Sequence, residues 1–178
     1  MVEIWERLTR LPPVSNTPDG QAAVLVPLYE DDADDVRLVL TKRHDWMRTH
    51  AGDVVFPGGK IDDEDEGPIA TALREAWEEV RIPAAAVEVI GGLQTVQPGP
   101  QGLLVVPVVA RIQRPDELHP HPDEVDVIIE PTLTELLDDS SWQQRPLYGR
   151  DLWFYEFPEG TLWGATAFMV RELLDYLR

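Results

Sequence analysis

The chain has 178 residues, no cysteine and a formal net charge of −18. A chain of this size fits one domain that buries roughly 70% of its unfolded surface, so a single unit over residues 1–178 is expected. Without cysteine there are no disulfides, thiolate nucleophiles or thiolate metal sites, which suits a cytoplasmic setting. So much negative charge opposes binding to nucleic acid or to an anionic membrane surface.

Residues 2–11 read as a short amphipathic helix with Ile4, Trp5 and Leu8 on its apolar side, stopped by Pro12-Pro13. Residues 1–17 lack the basic-then-apolar layout of a signal peptide, and no apolar run approaches the ~20 residues of a membrane span. A polar, turn-rich linker is expected over residues 12–20. Residues 22–29 (AAVLVPLY) and 36–43 (VRLVLTKR) read as strands around an acidic turn. A short strand over 54–56 feeds a Pro57-Gly58-Gly59 loop. A helix then opens at Pro68, a residue suited to a first helical position. Its Ile69, Ala72, Leu73, Ala76 and Val80 form one apolar stripe, with Trp77 packing at the edge.

Pro83 can start one further turn. Strands are expected over 87–96 and within LLVVPVVARI (103–112), separated by the turn-rich QPGPQG. Residues 114–122 form a proline-rich loop in which His119 and His121 face solvent. A strand over 125–129, a short helix over 133–137 and an aromatic core strand over 152–157 follow. Val170, Leu173, Leu174 and Leu177 give the last helix its stripe. Strands interleaved with a few helices predict an α/β fold, a mixed sheet packed between helices.

The stretch that stands out is GGKIDDEDEGPIATALREAWEEVRI, residues 58–82. At about 100° per residue, Glu75, Glu78 and Glu79 share one arc of the helix and repel one another. A solvated acidic face is the ordinary reading of such an arc. The loop in front argues for more. Gly58-Gly59 permits close backbone approach, and Asp62, Asp63, Glu64, Asp65 and Glu66 add the oxygen donors that hard divalent cations prefer. Just upstream, Lys42, Arg43 and Arg48 gather positive charge in an acidic chain, and arginine suits phosphate through its planar fork.

These residues resemble the box of the Nudix hydrolase family, Gly-x5-Glu-x7-Arg-Glu-U-x-Glu-Glu-x-Gly-U with U bulky and apolar. Gly59, Arg74, Glu75, Ala76, Glu78, Glu79 and Ile82 occupy its positions. The loop glutamate is matched by Asp65 or by Glu66, depending on where one extra residue is placed, and Arg81 stands where the family has glycine. The segment LTKRHDWMRTHAGDVVFPGG (40–59) further resembles the signature of the coenzyme A pyrophosphatase branch, through Leu40, Thr41, Arg43, Arg48, Gly52, Phe56, Pro57, Gly58 and Gly59. His44 replaces a small residue of that signature.

The resemblance implies an α/β/α sandwich with a mixed sheet. It also implies Mg²⁺ or Mn²⁺ at Glu75 and Glu79 with Glu78 in support, and Arg74 orienting those carboxylates. Gly58 and Gly59 would border the site, and Glu78 or Glu124 would act as base. The expected substrate is a small nucleotide, coenzyme A or an acyl derivative, with Arg43 or Arg48 on its 3′-phosphate. ADP-ribose or NADH is the alternative substrate, and a non-catalytic binding module the alternative role. A homodimer is an open expectation.

Overall fold

The computed structural model describes residues 2–16 and 20–178. Met1 and the middle of the expected linker, 17–19, lie outside the described residues. The central sheet is built on β1 (Ala22–Glu30), flanked by β2 (Val36–Leu38) on one side and β7 (Val105–Ile112) on the other, with β6 (Val87–Gly92) beyond β7. β1 and β7 run parallel, and the remaining pairs are antiparallel, so the sheet is mixed. Two three-stranded sheets complete the fold. One joins β3 (Leu40–Arg43), β4 (Val54–Val55) and β8 (Val125–Ile129). The other joins β9 (Trp142–Leu147), β10 (Arg150–Glu156) and β11 (Thr161–Trp163).

β1 is apolar on both faces because both are covered. Ala23 and Leu25 meet Ala72, Ala76 and Val80 of α2 (Pro68–Val80). Val26 and Leu28 face Leu8 of α1 (Val2–Leu8), Leu133 and Leu136 of α3 (Leu133–Leu137), and Leu173 and Leu174 of α4 (Gly164–Tyr176). This is the expected α/β/α arrangement. Among the described residues no helix is long and apolar enough to cross a membrane.

Several local expectations are corrected. The first helix stops at Leu8, and the strand expected over 36–43 breaks at Val39: β2 pairs with β1, whereas β3 pairs with β4 and β8. Its apolar run serves two sheets, and periodicity carries no information about partners. Gly58–Lys60, read as loop, is a short strand β5 on the first residues of β1. β9 escaped notice because WQQRPL is polar and contains Pro146, which only an edge strand tolerates. Ile69 and Trp77 lie exposed rather than packed, at 39% and 48%.

Candidate active site

α2 and β5 bring the acidic stretch together. β5 pairs Gly58 with Val24 and Gly59 with Ala23, and neither glycine has room for a side chain. A Cβ on Gly58 would strike the Ala23 carbonyl, and one on Gly59 would strike the Glu75 carboxylate. The double glycine therefore lets the loop lie directly against the carboxylate of the helix.

Arg74 holds the loop to the helix. Its Nε and Nη2 donate to the two oxygens of Asp65 at 3.1 and 2.8 Å, its Nη1 to Glu75 Oε1 at 2.9 Å, and its Nη2 to the Lys60 carbonyl at 3.1 Å. Asp65 also accepts from the Thr71 hydroxyl at 2.7 Å and the Asp62 N–H at 3.0 Å. The Arg74 guanidinium holds the Asp65 carboxyl far below its usual range. Of the two residues that could match the loop glutamate, Asp65 makes these bonds and Glu66 is exposed. Arg74 thus bonds the loop carboxylate and the helix carboxylate at once.

The glutamates of the arc differ sharply in environment. Glu79 is buried, at 3% exposure. Burial first, then the charges of Glu75 and Glu124, push its carboxyl up to about 8; Arg43 and a backbone hydrogen bond from Gly58 oppose the rise. Glu75 is also raised, by burial first, against the pull of Arg74 and with added push from Glu78 and Glu124. Glu78 is 52% exposed at its side chain and lies 3.6 Å from Arg74. The three do not form one ready-made ligand set, and among the described residues no three Asp, Glu or His are arranged to hold an ion. The reason is geometric: a 100° step per residue turns Glu78 outward while Glu79 turns inward.

Two further residues, Glu124 and Arg43, reach this place from distant sequence. Glu124 sits on the loop before β8, close enough for its charge to raise both Glu75 and Glu79. That loop is fastened to the end of α2 by the His121 N–H on the Glu79 carbonyl, 2.8 Å, and the His119 N–H on the Val80 carbonyl, 3.3 Å. Arg43 comes from β3, where the register with β8 shifts between Lys42 and Arg43; such a bulge re-aims a side chain. Its charge stabilises ionised Glu79, yet its Nε is buried with no hydrogen-bond partner among the described residues. Arg48 lies exposed on the loop between β3 and β4.

Glu75, Glu79 and Glu124 supply the oxygen type that a hard divalent cation prefers, without standing as a ready three-ligand set among the described residues. The close backbone of Gly59 leaves the Glu75 end of the cluster uncovered by any side chain of its own. Sequence reasoning did not single out Trp46, an exposed indole between Arg43 and Arg48; its one signal was a large aromatic in a polar loop.

Arg81 ends α2 in the left-handed conformation, φ 62° and ψ 36°. This is why the family pattern has glycine there: other residues are strained by about 1–2 kcal/mol. Arg81 offsets part of the strain, since its guanidinium lies 5.1 Å from the Trp77 ring centre and donates to the Trp77 carbonyl at 3.3 Å.

A second charged region lies at the other end of β1. There an open groove of about 800 Å³ is lined by Tyr29, Glu30, Arg111, Arg114 and their neighbours. Arg114 donates to both oxygens of Glu130 at 2.6 and 3.0 Å, and the Tyr29 hydroxyl donates at 2.7 Å.

A family model described as NUDIX domain matches residues 19–161. Among curated proteins, the chain is 43% identical over 159 residues to the "Uncharacterized Nudix hydrolase NudL" of Enterobacter sp. (strain 638), covering 86% of this chain and 80% of that one. It is 39% identical over 173 residues to the protein of the same name from Photorhabdus laumondii, covering 94% and 91%. Among solved structures, a MutT/nudix family protein from Enterococcus faecalis matches with a TM-score of 0.59 at 16% identity, over 96% of this chain and 66% of that one.

Proposed function

The chain belongs to the NUDIX family and is a Nudix hydrolase, and from that premise we propose that it hydrolyses the pyrophosphate bond of coenzyme A or an acyl-CoA. The products are 3′,5′-ADP and 4′-phosphopantetheine or its acylated form. The observation that carries the reading is Glu79, a buried carboxylate set beside Glu75 and Glu124, with Arg43 as its opposing cation. Such an arrangement is costly to an empty fold and gains its partners when a cation and a phosphate enter together.

Glu75 and Glu79, with Glu78 at the mouth in support, are the residues that would hold Mg²⁺ or Mn²⁺. When bound, the ion neutralises pyrophosphate charge and polarises the attacked phosphorus. Arg74 keeps the loop carboxylate and Glu75 in place. Backbone at Gly58 and Gly59 borders the phosphates. Glu78 or Glu124 takes the proton from the attacking water; each is a carboxylate within the cluster's field. The Nε–H of Arg43 is a buried donor with no partner among the described residues, the charge of Arg43 acts on Glu79, and Arg48 adds charge on the adjoining loop.

Choice of coenzyme A rests on the 40–59 segment and on these two arginines, since the substrate carries a 3′-phosphate besides its pyrophosphate. The test is to incubate the protein with coenzyme A, 3′-dephospho-coenzyme A, ADP-ribose and NADH, with and without Mg²⁺, and to identify products by mass. Coenzyme A is expected to be cleaved best and only with metal. Arg43→Ala or Arg48→Ala should shrink its advantage over the dephospho form by about 10- to 100-fold, the worth of one charged hydrogen bond at 1.5–3 kcal/mol. Faster cleavage of ADP-ribose or NADH would replace the coenzyme A reading with the dinucleotide one.

A further inference from the structure

We propose that the indole of Trp46 is a stacking platform for the purine base of the substrate, and that His44 holds it in position. The idea rests on the nucleotide reading above but concerns a different part of the ligand. Trp46 is 73% exposed, whereas the His44 beneath it is buried at 8%. The two rings lie 3.8 Å apart and 15° from parallel. His44 is itself fixed, its Nε2–H donating to the Pro122 carbonyl at 2.8 Å. One face of the indole is therefore covered by a clamped imidazole, and the other is open.

The platform is tied to the carboxylate cluster on two sides. Pro122 follows His121, whose N–H binds the Glu79 carbonyl at 2.8 Å, and precedes Glu124 by two residues. On the other strand, His44 follows Arg43, whose charge acts on Glu79. The loop is braced as well: the His44 carbonyl accepts from the Met47 N–H at 3.2 Å, and Asp53 accepts from the Trp163 indole at 3.1 Å. An aromatic face between Arg43 and Arg48 offers what a nucleoside phosphate presents, a flat base beside anionic oxygens.

Two other exposed aromatics, Trp77 and Tyr148, lack this setting. Trp77 has the Arg81 guanidinium over its ring. Tyr148 is at the tip of the β9–β10 turn with φ 52°, remote from α2 in the chain's sheets. His44 also gives a use to a departure from the branch signature, since a small residue there would leave the indole without a backing ring. Pre-ordering a side chain lowers the cost of binding, and every base has a π-face, so the platform selects for a base without reading its identity.

The experiment is calorimetric titration, in Mg²⁺, of wild type, Trp46→Ala, Trp46→Phe and His44→Ala. The probes are 3′,5′-ADP, adenosine 5′-monophosphate and base-free ribose 5-phosphate, none of which carries a pyrophosphate to cleave. Trp46→Ala should weaken both adenine ligands by about 5- to 100-fold, the loss seen when a base–aromatic stack is removed. It should leave ribose 5-phosphate unchanged. Trp46→Phe should retain most of the affinity, and His44→Ala should fall between wild type and Trp46→Ala. In turnover, Trp46→Ala should raise KM with kcat kept. Equal adenine affinity in wild type and Trp46→Ala overturns the platform, as does absence of adenine binding by the wild type. Trp46-dependent binding of adenosine 5′-monophosphate with no preference for 3′,5′-ADP keeps the platform and removes the coenzyme A reading instead.

Discussion

Two inward-facing glutamates, Glu79 and Glu130, lie toward opposite ends of the central sheet, and their neighbours push them in opposite directions. Glu130 accepts from Arg114 twice and from Tyr29 once, and these partners hold its carboxyl below the usual range despite burial. Tyr29, next to that charge and itself buried, is pushed up to about 12. Glu79 has other carboxylates for neighbours and is pushed up to about 8. Glu79 is buried and Glu130 only partly so, but the larger contrast is in partnership. A carboxylate with its hydrogen bonds filled supports the fold, and one crowded by like charge is held for a ligand. By this comparison the wide groove beside Glu130 reads as scaffold, and the like-charged cluster on α2 is the site we propose for the chemistry.

Breaking each end should give opposite signatures. At the α2 end, Glu75→Gln or Glu79→Gln should lower kcat by about two orders of magnitude or more, as removal of a major electrostatic element does. EDTA should stop wild-type turnover altogether. Initial rates of product formation check both, and unchanged turnover in the two variants would remove the metal assignment.

At the other end, Glu130→Ala should lower stability by about 1.5–3 kcal/mol, since it leaves Arg114 and Tyr29 without their shared acceptor. For a domain of this size that is a midpoint drop of roughly 3–12 °C. The protein that remains folded should keep kcat. Loss of activity without loss of stability would mean that the groove takes part in the reaction.

How much of this could be read from the sequence follows from the range of each interaction. α2 and its acidic loop are local, so the glycine pair, the apolar stripe and the spacing of Glu75, Glu78 and Glu79 were all visible. What joins them was not. Arg43 acts on Glu79 from β3, at the residue where the register with β8 shifts, and nothing in VRLVLTKR announces it. Glu130, Arg114 and Tyr29 are far apart in the chain and meet only once β1, β7 and β8 are placed. Charge counting alone gives only part of the cost of the arc. Exposed like-charge pairs on a helix cost a few tenths of a kcal/mol each, but Glu79 is buried, and burial is the larger cause of its shift. The choice between Asp65 and Glu66 was open in the sequence because either fits the gap; the bidentate bond to Arg74 separates them.

The smallest expected effect is also the one that bears most directly on the central claim, that Glu79 is a carboxylate held ready for a cation. Burial first, then the charges of Glu75 and Glu124, push the folded Glu79 carboxyl up to about 8 from its ordinary value of 4.5. Between those values the folded state binds more protons, so the metal-free wild type should lose stability as pH rises from about 5 to 8. A shift of even one unit corresponds to about 1.4 kcal/mol. Glu79→Gln removes the ionisation and should therefore melt at least about 2–4 °C above wild type in EDTA at pH 8. The gap should close toward pH 5. Millimolar Mg²⁺ should raise the wild type more than the variant, because binding to the native state alone shifts the equilibrium. The measurement is a set of melting curves for both proteins, in EDTA and in Mg²⁺, at pH 5 and pH 8 and one ionic strength. A variant that is more stable without metal and less responsive to it is the predicted result; a variant that melts below wild type in EDTA at pH 8 would make Glu79 a structural partner and contradict the account.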